Sequence, residues 1–154
     1  MNLQKLTAND NYFEDFQVGN VFKHARGKTV TENDAVTLCH LVMNSADAHF
    51  NDDKMKDTVV GESLVYGGVT ISITIGLAYQ DTGEQVIEER GLTGIKLMHP
   101  ILHGNTLYAY TEVLAKEDID NNSGLVTFRH YGVDQDENVA FQGDRTALIL
   151  KRPR

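Results

Sequence analysis

The chain has 154 residues, 41% of them hydrophobic and 23% charged, with a formal net charge of −8. The length suits one domain with a sizeable core, and the acidic balance argues against a nucleic-acid partner, because nonspecific binding there rests on Lys and Arg clusters that neutralise phosphates. No stretch reaches the roughly 18 apolar residues of a membrane span, and the opening MNLQKLTAND lacks the apolar segment of a secretory signal, so no membrane association is expected. A single cysteine, Cys39, leaves no internal disulfide and suits a reducing cytoplasm; within AVTLCHLVM it reads as buried packing.

In chain order, residues 1–11 read as a loose lead into one domain covering 1–154. A strand is predicted from about Asn20 to Val30. A helix follows, capped by the Thr31 hydroxyl, with Glu32 and Asp34 at the positive end of its dipole. Val36, Leu38, Cys39, Leu41, Val42 and Met43 give it an apolar side, and Asn44 stands where helices commonly end in a left-handed residue. Residues 44–63 form a polar excursion rich in Asn, Asp and Lys; connections that long are usually functional or hold short helical turns.

Two patterns compete in VYGGVTISITIGLAYQDTG, residues 65–83. Val69, Ile71, Ile73, Ile75 and Leu77 alternate with small or polar residues, which alone predicts a strand. They also form helical stripes, 69/73/77 and 71/75/78, suited to a helix wrapped on several sides by a sheet. Four strands are then predicted within residues 85–102, 105–119, 123–135 and 138–152, separated by turn signals around Gly104, Asp120 to Gly124 and Asp134 to Asn138. Long antiparallel strands after a strand and a helix place the chain in the α+β class.

Residues with chemistry gather in LVMNSADAHFND, residues 41–52. His49 follows the first helix, with the amide of Asn44 five residues before it and the carboxylate of Asp47 two before it. Histidine is suited to proton transfer near neutral pH; the competing reading is a capped helix end and a solvated loop. The histidines at 24, 40, 99, 103 and 130 show no metal-ligand spacing, so no metal is expected. Ser63, Ser72 and Ser123 lie in no nucleophile-elbow context.

Four segments resemble the MaoC-like dehydratases, the (R)-specific enoyl-CoA hydratase branch of the hotdog superfamily. The 41–52 stretch resembles that family's Asp-x-Asn-Pro-x-His, with His49 in the histidine position. VYGG, residues 65–68, resembles its Val-His-Gly, with Gly67 the expected 18 residues after His49. MHPILHGNTLYAYTEVL, residues 98–114, resembles its Pro-Val-x-x-Gly-Asp-Thr-Leu junction, and GDRTALILKR, residues 143–152, its closing strand. The resemblance implies a single hotdog fold, a long central helix wrapped by an antiparallel sheet, and so favours a helix over residues 68–80.

The same resemblance implies reversible hydration of a 2-enoyl-CoA, or dehydration of a 3-hydroxyacyl-CoA; short or branched acyl groups such as mesaconyl-CoA compete with straight-chain ones, and the departures from the family motif lean toward the former. Coenzyme A enters as part of the substrate and no further cofactor is implied. His49 would move the proton, and Gly67 and Gly68 at the start of the central helix would offer N–H groups to the thioester oxygen, a kind of donor worth about 3 kcal/mol. Four positions depart from the family. Asn44 replaces its catalytic aspartate, Ala46 its asparagine, Asp47 its proline, and Tyr66 the histidine before the glycine. Either Asp47 supplies the missing carboxylate, or His49 acts alone with Asn44 holding the water. Tyr66 is a packing residue or lines the pocket. Arg26, Lys28, Arg90, Lys96 and Lys151 are candidates for the CoA phosphates. A homodimer with interfacial sites is implied, with tetramers or hexamers of such dimers as larger forms. Two other readings stand beside the lyase. A hotdog thioesterase would place a Glu or Asp on the central helix, where residues 68–80 hold none; a non-catalytic acyl-CoA-binding dimer draws its best argument from Asn44.

Overall fold

A computed structural model describes residues 11–153, so all of the expected loose lead except Asn11 lies outside the described residues. Strand β1 (Val21–Thr29) leads into helix α1 (Glu32–Leu41). The Thr31 hydroxyl accepts the Asp34 N–H at 3.2 Å and the Asp34 carboxylate accepts the Thr31 N–H at 3.2 Å, a reciprocal cap. Lys28 Nζ donates to the same carboxylate at 2.7 Å and, with Thr31, holds the Asp34 pKa at about 2.

The other end of α1 differs from expectation by one position. Met43, not Asn44, is the left-handed residue, with φ 58°. The Met43 N–H donates to His40 O and the Asn44 N–H to Cys39 O, both at 2.9 Å, which satisfies the last carbonyls of the helix. The excursion after it holds short helical turns. A 3-10 turn covers Asp47–His49, and α2 (Asp52–Met55) starts at Asn51, whose side chain accepts the Lys54 N–H. Ser63 is buried and donates to Asp52 Oδ1 at 2.5 Å, tying the excursion closed.

Residues 65–83 contain helix α3 (Gly67–Thr82), so the alternating pattern does not make a strand here. The reason lies in which face meets the sheet. Thr70, Thr74, Ala78 and Thr82, four residues apart, are buried, while Ile71, Ile73, Ile75 and Leu77 are only half-buried. Thr74 Oγ1 donates back to Thr70 O at 2.8 Å and Thr82 Oγ1 to Ala78 O at 2.9 Å, so these hydroxyls enter the interior already bonded. Close approach also needs Gly132 on the sheet, where a Cβ would stand 2.3 Å from Thr74 Oγ1.

The sheet comprises β1, β2 (Val86–Leu97), β3 (Thr106–Asp118), β4 (Ser123–Val133) and β5 (Val139–Leu150), all antiparallel, in the order β1-β3-β4-β5-β2. α3 packs across β1, β3, β4 and β5. Inner strands β4 and β5 alternate buried and half-buried positions, as expected for a sheet with one face on a helix. β2 is different. It forms an edge, and every residue after Val86 is exposed, including Ile87, Leu92, Ile95 and Leu97. The core falls into two apolar clusters. One, around Phe16, Val113, Phe128 and Ile149, lies beside the 3-10 turn Phe13–Asp15; the other, around Val30, Val65, Val69 and Leu107, lies under the start of α3. Cys39 is buried, as its helical context predicts. Among the described residues no helix is long and apolar enough to cross a membrane.

Candidate active site

The site is built where the excursion returns to the start of α3. Leu64 N–H donates to Ala48 O and Val65 N–H to Ile101 O, both at 2.8 Å, and Leu64 bridges to Leu102. These bonds place the Leu64 carbonyl 2.9 Å from His49 Nδ1. A carbonyl only accepts, so Nδ1 carries the hydrogen, and the neutral ring presents Nε2 as its basic nitrogen. On another side the ring meets Tyr66, with centroids 5.5 Å apart and planes tilted by 58°.

Tyr66 is the N-cap of α3, and no side chain caps this end. The first amides to find carbonyls are those of Val69 and Thr70, which both reach Tyr66 O, at 2.8 and 3.3 Å. The N–H groups of Gly67 and Gly68 are thus left at the positive end of a 16-residue helix. The two glycines serve different ends. Gly67 lines a cavity of about 310 Å³ together with His49, Thr70, Leu97 and Ile101. Gly68 faces a neighbouring groove between α1 and α3 that Leu38, Val42, Tyr66 and Ser72 also line. A Cβ at Gly68 would stand 2.4 Å from the Tyr66 ring, so the absence of a side chain there lets the ring fold back beside His49.

Of the six site residues read from sequence, the cavity brings together His49 and Gly67. Asn44 turns to its own backbone, Oδ1 accepting the Ala46 N–H at 3.0 Å. Asp47 forms an ion pair with Lys54 and accepts Asn51 Nδ2 at 3.1 Å; Lys54 first, then Asn51, hold its carboxyl below the usual carboxylate range. Its carboxylate is therefore engaged on the excursion and not on His49. Of the five basic candidates, Lys28, Arg90 and Lys151 sit in ion pairs with Asp34, Glu88 and Asp118.

Sequence reasoning passed over Thr70 and His99 as residues of this cavity. Thr70 reads as one more polar position in an alternating run, and His99 shows no partner within its own segment. It also missed the carboxylate on the central helix, because α3 runs two residues past 80 and includes Asp81. Asp81 Oδ2 lies 2.6 Å from His24 Nδ1, and His24 Nε2 lies 2.7 Å from Thr111 Oγ1. That array is sealed, with His24 and Asp81 side chains 0% and 5% exposed, and it stands about 21 Å along the helix from Gly67. It does not meet the cavity, so the argument against a thioesterase survives on position and not on the lack of a carboxylate. Among the described residues no three His, Cys, Asp or Glu side chains converge as a metal site.

A long helix crossed by a five-stranded antiparallel sheet, with a histidine at its uncapped start, defines a hotdog protein of the MaoC-like dehydratase type. The fold agrees with a Mycobacterium tuberculosis protein with a double hotdog fold, at TM-score 0.82 and 23% identity, covering 92% of this chain and 44% of that one. A protein from Archaeoglobus described as a monoamine oxidase regulatory protein superposes with TM-score 0.84 and 28% identity, covering 97% of this chain and 100% of that one. Within that class the profile of the mesaconyl-CoA hydratases matches residues 3–151, and the chain belongs to this family. The mesaconyl-CoA hydratase of Haloarcula marismortui is 31% identical over 95% of this chain and 44% of its own length. The chain thus spans less than half the length of that relative.

Proposed function

We propose that this chain is a hydro-lyase that adds water reversibly to a short, branched 2-enoyl-CoA of the mesaconyl type, with His49 as the proton-transferring group. The observation that carries the reading is one cavity shared by an imidazole with a fixed tautomer and the uncapped start of a long helix. His49 Nε2 takes a proton from water as its oxygen bonds to Cβ. The π electrons move toward the thioester oxygen, where the Gly67 N–H and the helix dipole meet the growing negative charge. The proton on Nε2 then passes to Cα, which restores the neutral imidazole and closes the cycle without a second carboxylate. Family membership supports the substrate class, since a mesaconyl thioester is short and branched. The apolar walls formed by Leu64, Val65, Leu97 and Ile101 suit its carbon skeleton.

CoA is the substrate's own carrier, and the scheme uses no further cofactor. The partner is a second copy of the chain. Among the described residues β2 has an unpaired, exposed edge with apolar side chains, and the isoleucines of α3 are left half-covered, which together form the surface that a second sheet and helix would close.

The test offers mesaconyl-CoA and crotonyl-CoA to the purified protein and follows enoyl absorbance together with free thiol. Loss of absorbance without thiol is expected, and faster with mesaconyl-CoA. Thiol release would replace the lyase with the thioesterase reading, and inertness toward both would leave acyl-CoA binding alone.

A further inference from the structure

We propose that His99 is a specificity-determining residue that binds the free carboxylate of a dicarboxylic acyl thioester. The assignment rests on the cavity's being the hydration site. Leu64, Val65, Leu97, Met98, Pro100 and Ile101 give it apolar walls, and His49 and His99 are the two ionisable side chains on them. His49 is occupied with the water. A butenedioyl monothioester carries its second carboxylate on Cβ, the atom that receives the water, so the group that reads this carboxylate must stand on the same cavity as His49. Burying a carboxylate against apolar walls without a charged or hydrogen-bonding partner is strongly unfavourable.

His99 is held for this task from two sides. Its segment is fastened by the Met98 N–H to Ala140 O at 2.9 Å and by the Leu64–Leu102 bridge, the same pairing that fixes the carbonyl behind His49. Behind the ring lies Asp134, 3.7 Å from Nε2, with a side chain only 3% exposed. Asp134 Oδ1 accepts the N–H groups of Asp136 and Asn138 at 2.9 and 2.8 Å, and Oδ2 accepts Asn138 Nδ2 at 2.9 Å. Burial opposes the ionised form, yet these bonds and the neighbouring His99 outweigh it, and the Asp134 pKa is lowered. An immobile anion thus faces Nε2, while no hydrogen bond from a described residue reaches Nδ1. With Nε2 beside Asp134, an Nδ1–H is left to donate to a substrate carboxylate.

The experiment compares wild type, His99→Gln and His99→Lys in two ways. One is kcat/KM for mesaconyl-CoA relative to crotonyl-CoA. The other is calorimetric affinity for succinyl-CoA relative to butyryl-CoA, a saturated pair that differs in the terminal carboxylate and needs no turnover. His99→Gln should reduce both ratios about tenfold to a hundredfold, the worth of one charge-assisted hydrogen bond; His99→Lys should recover most of the loss. His99 is 42% exposed at its side chain, so the variants keep the fold. Unchanged ratios, or equal losses on both members of each pair, would overturn the assignment. If wild type hydrates neither enoyl thioester, the hydratase reading fails, and the succinyl-to-butyryl affinity ratio still decides whether His99 reads a carboxylate.

Discussion

The two ends of α3 each face a histidine, and the better-looking constellation is the sealed one. At the C-terminal end, Asp81, His24 and Thr111 line up at 2.6 and 2.7 Å in the order a hydrolase would use. Thr111 Oγ1 continues to His130 Nδ1 at 2.7 Å, and the side chains of all four residues are buried. At the N-terminal end, His49 has a carbonyl where a carboxylate would be expected, but it opens on a cavity beside unpaired helix amides. The difference teaches that hydrogen-bond order alone does not define a site. Access and a place for developing charge do, and a histidine relay without them is a sealed polar array in the core.

Replacing the two histidines should separate those roles. His49→Ala is expected to lower kcat about 10²- to 10⁴-fold, the usual worth of a positioned proton-transfer group, with thermal stability retained. His24→Ala should do the reverse. It strands Asp81, whose Oδ1 already lacks a partner among the described residues, and should cost about 3 kcal/mol in denaturant unfolding while the folded fraction keeps its kcat. Equal activity losses in both variants would dissolve the distinction.

Acid should act on the sealed end first. Burial, then the charge of Arg145, pushes the His130 pKa down from 6.5 to about 3. Because the folded value lies below the unfolded one, the unfolded chain takes up the proton first. The contribution of neutral His130 is full above pH 6.5 and is lost as pH falls toward 3. The melting temperature should therefore drop between pH 6.5 and pH 4 in wild type, and drop less in His130→Leu. Parallel curves for the two proteins would contradict the buried-histidine account.

How much of this was legible in sequence follows from which forces act locally. The cap at Thr31, the strands β1 to β5 and the short turns of the excursion are read from nearby residues, and they stand where expected. Helix α3 is not legible from periodicity, because the face it lays on the sheet is threonine and alanine instead of the aliphatic stripe. Resemblance, not pattern, supplied that element. The resemblance singles out His49 and Gly67, 18 residues apart, and the two line one cavity. The placement of Asn44 and Asp47 was not, since one is claimed by its own turn and the other by Lys54 seven residues on. His99 and Asp134 are brought together by strand pairing across 35 residues, and no local signal announces such a contact.

The smallest effects should come from the neighbours of His49. Asp47→Asn is expected to change kcat by less than about threefold, because its carboxylate serves Lys54 and Asn51. Asn44→Asp should bring no comparable gain while its side chain stays bonded to the Ala46 amide. A tenfold gain from Asn44→Asp would show that the open end still has room for the family's carboxylate.

The most direct test is the stereochemistry of addition. Mesaconyl-CoA is hydrated by the wild-type protein in D₂O, and the product is read by NMR for the faces that carry hydroxyl and deuterium. A single imidazole that removes the water proton and returns it to Cα stands on one face of the double bond. The predicted result is hydroxyl and deuterium on the same face; addition to opposite faces would require a second proton donor and would contradict His49 acting alone.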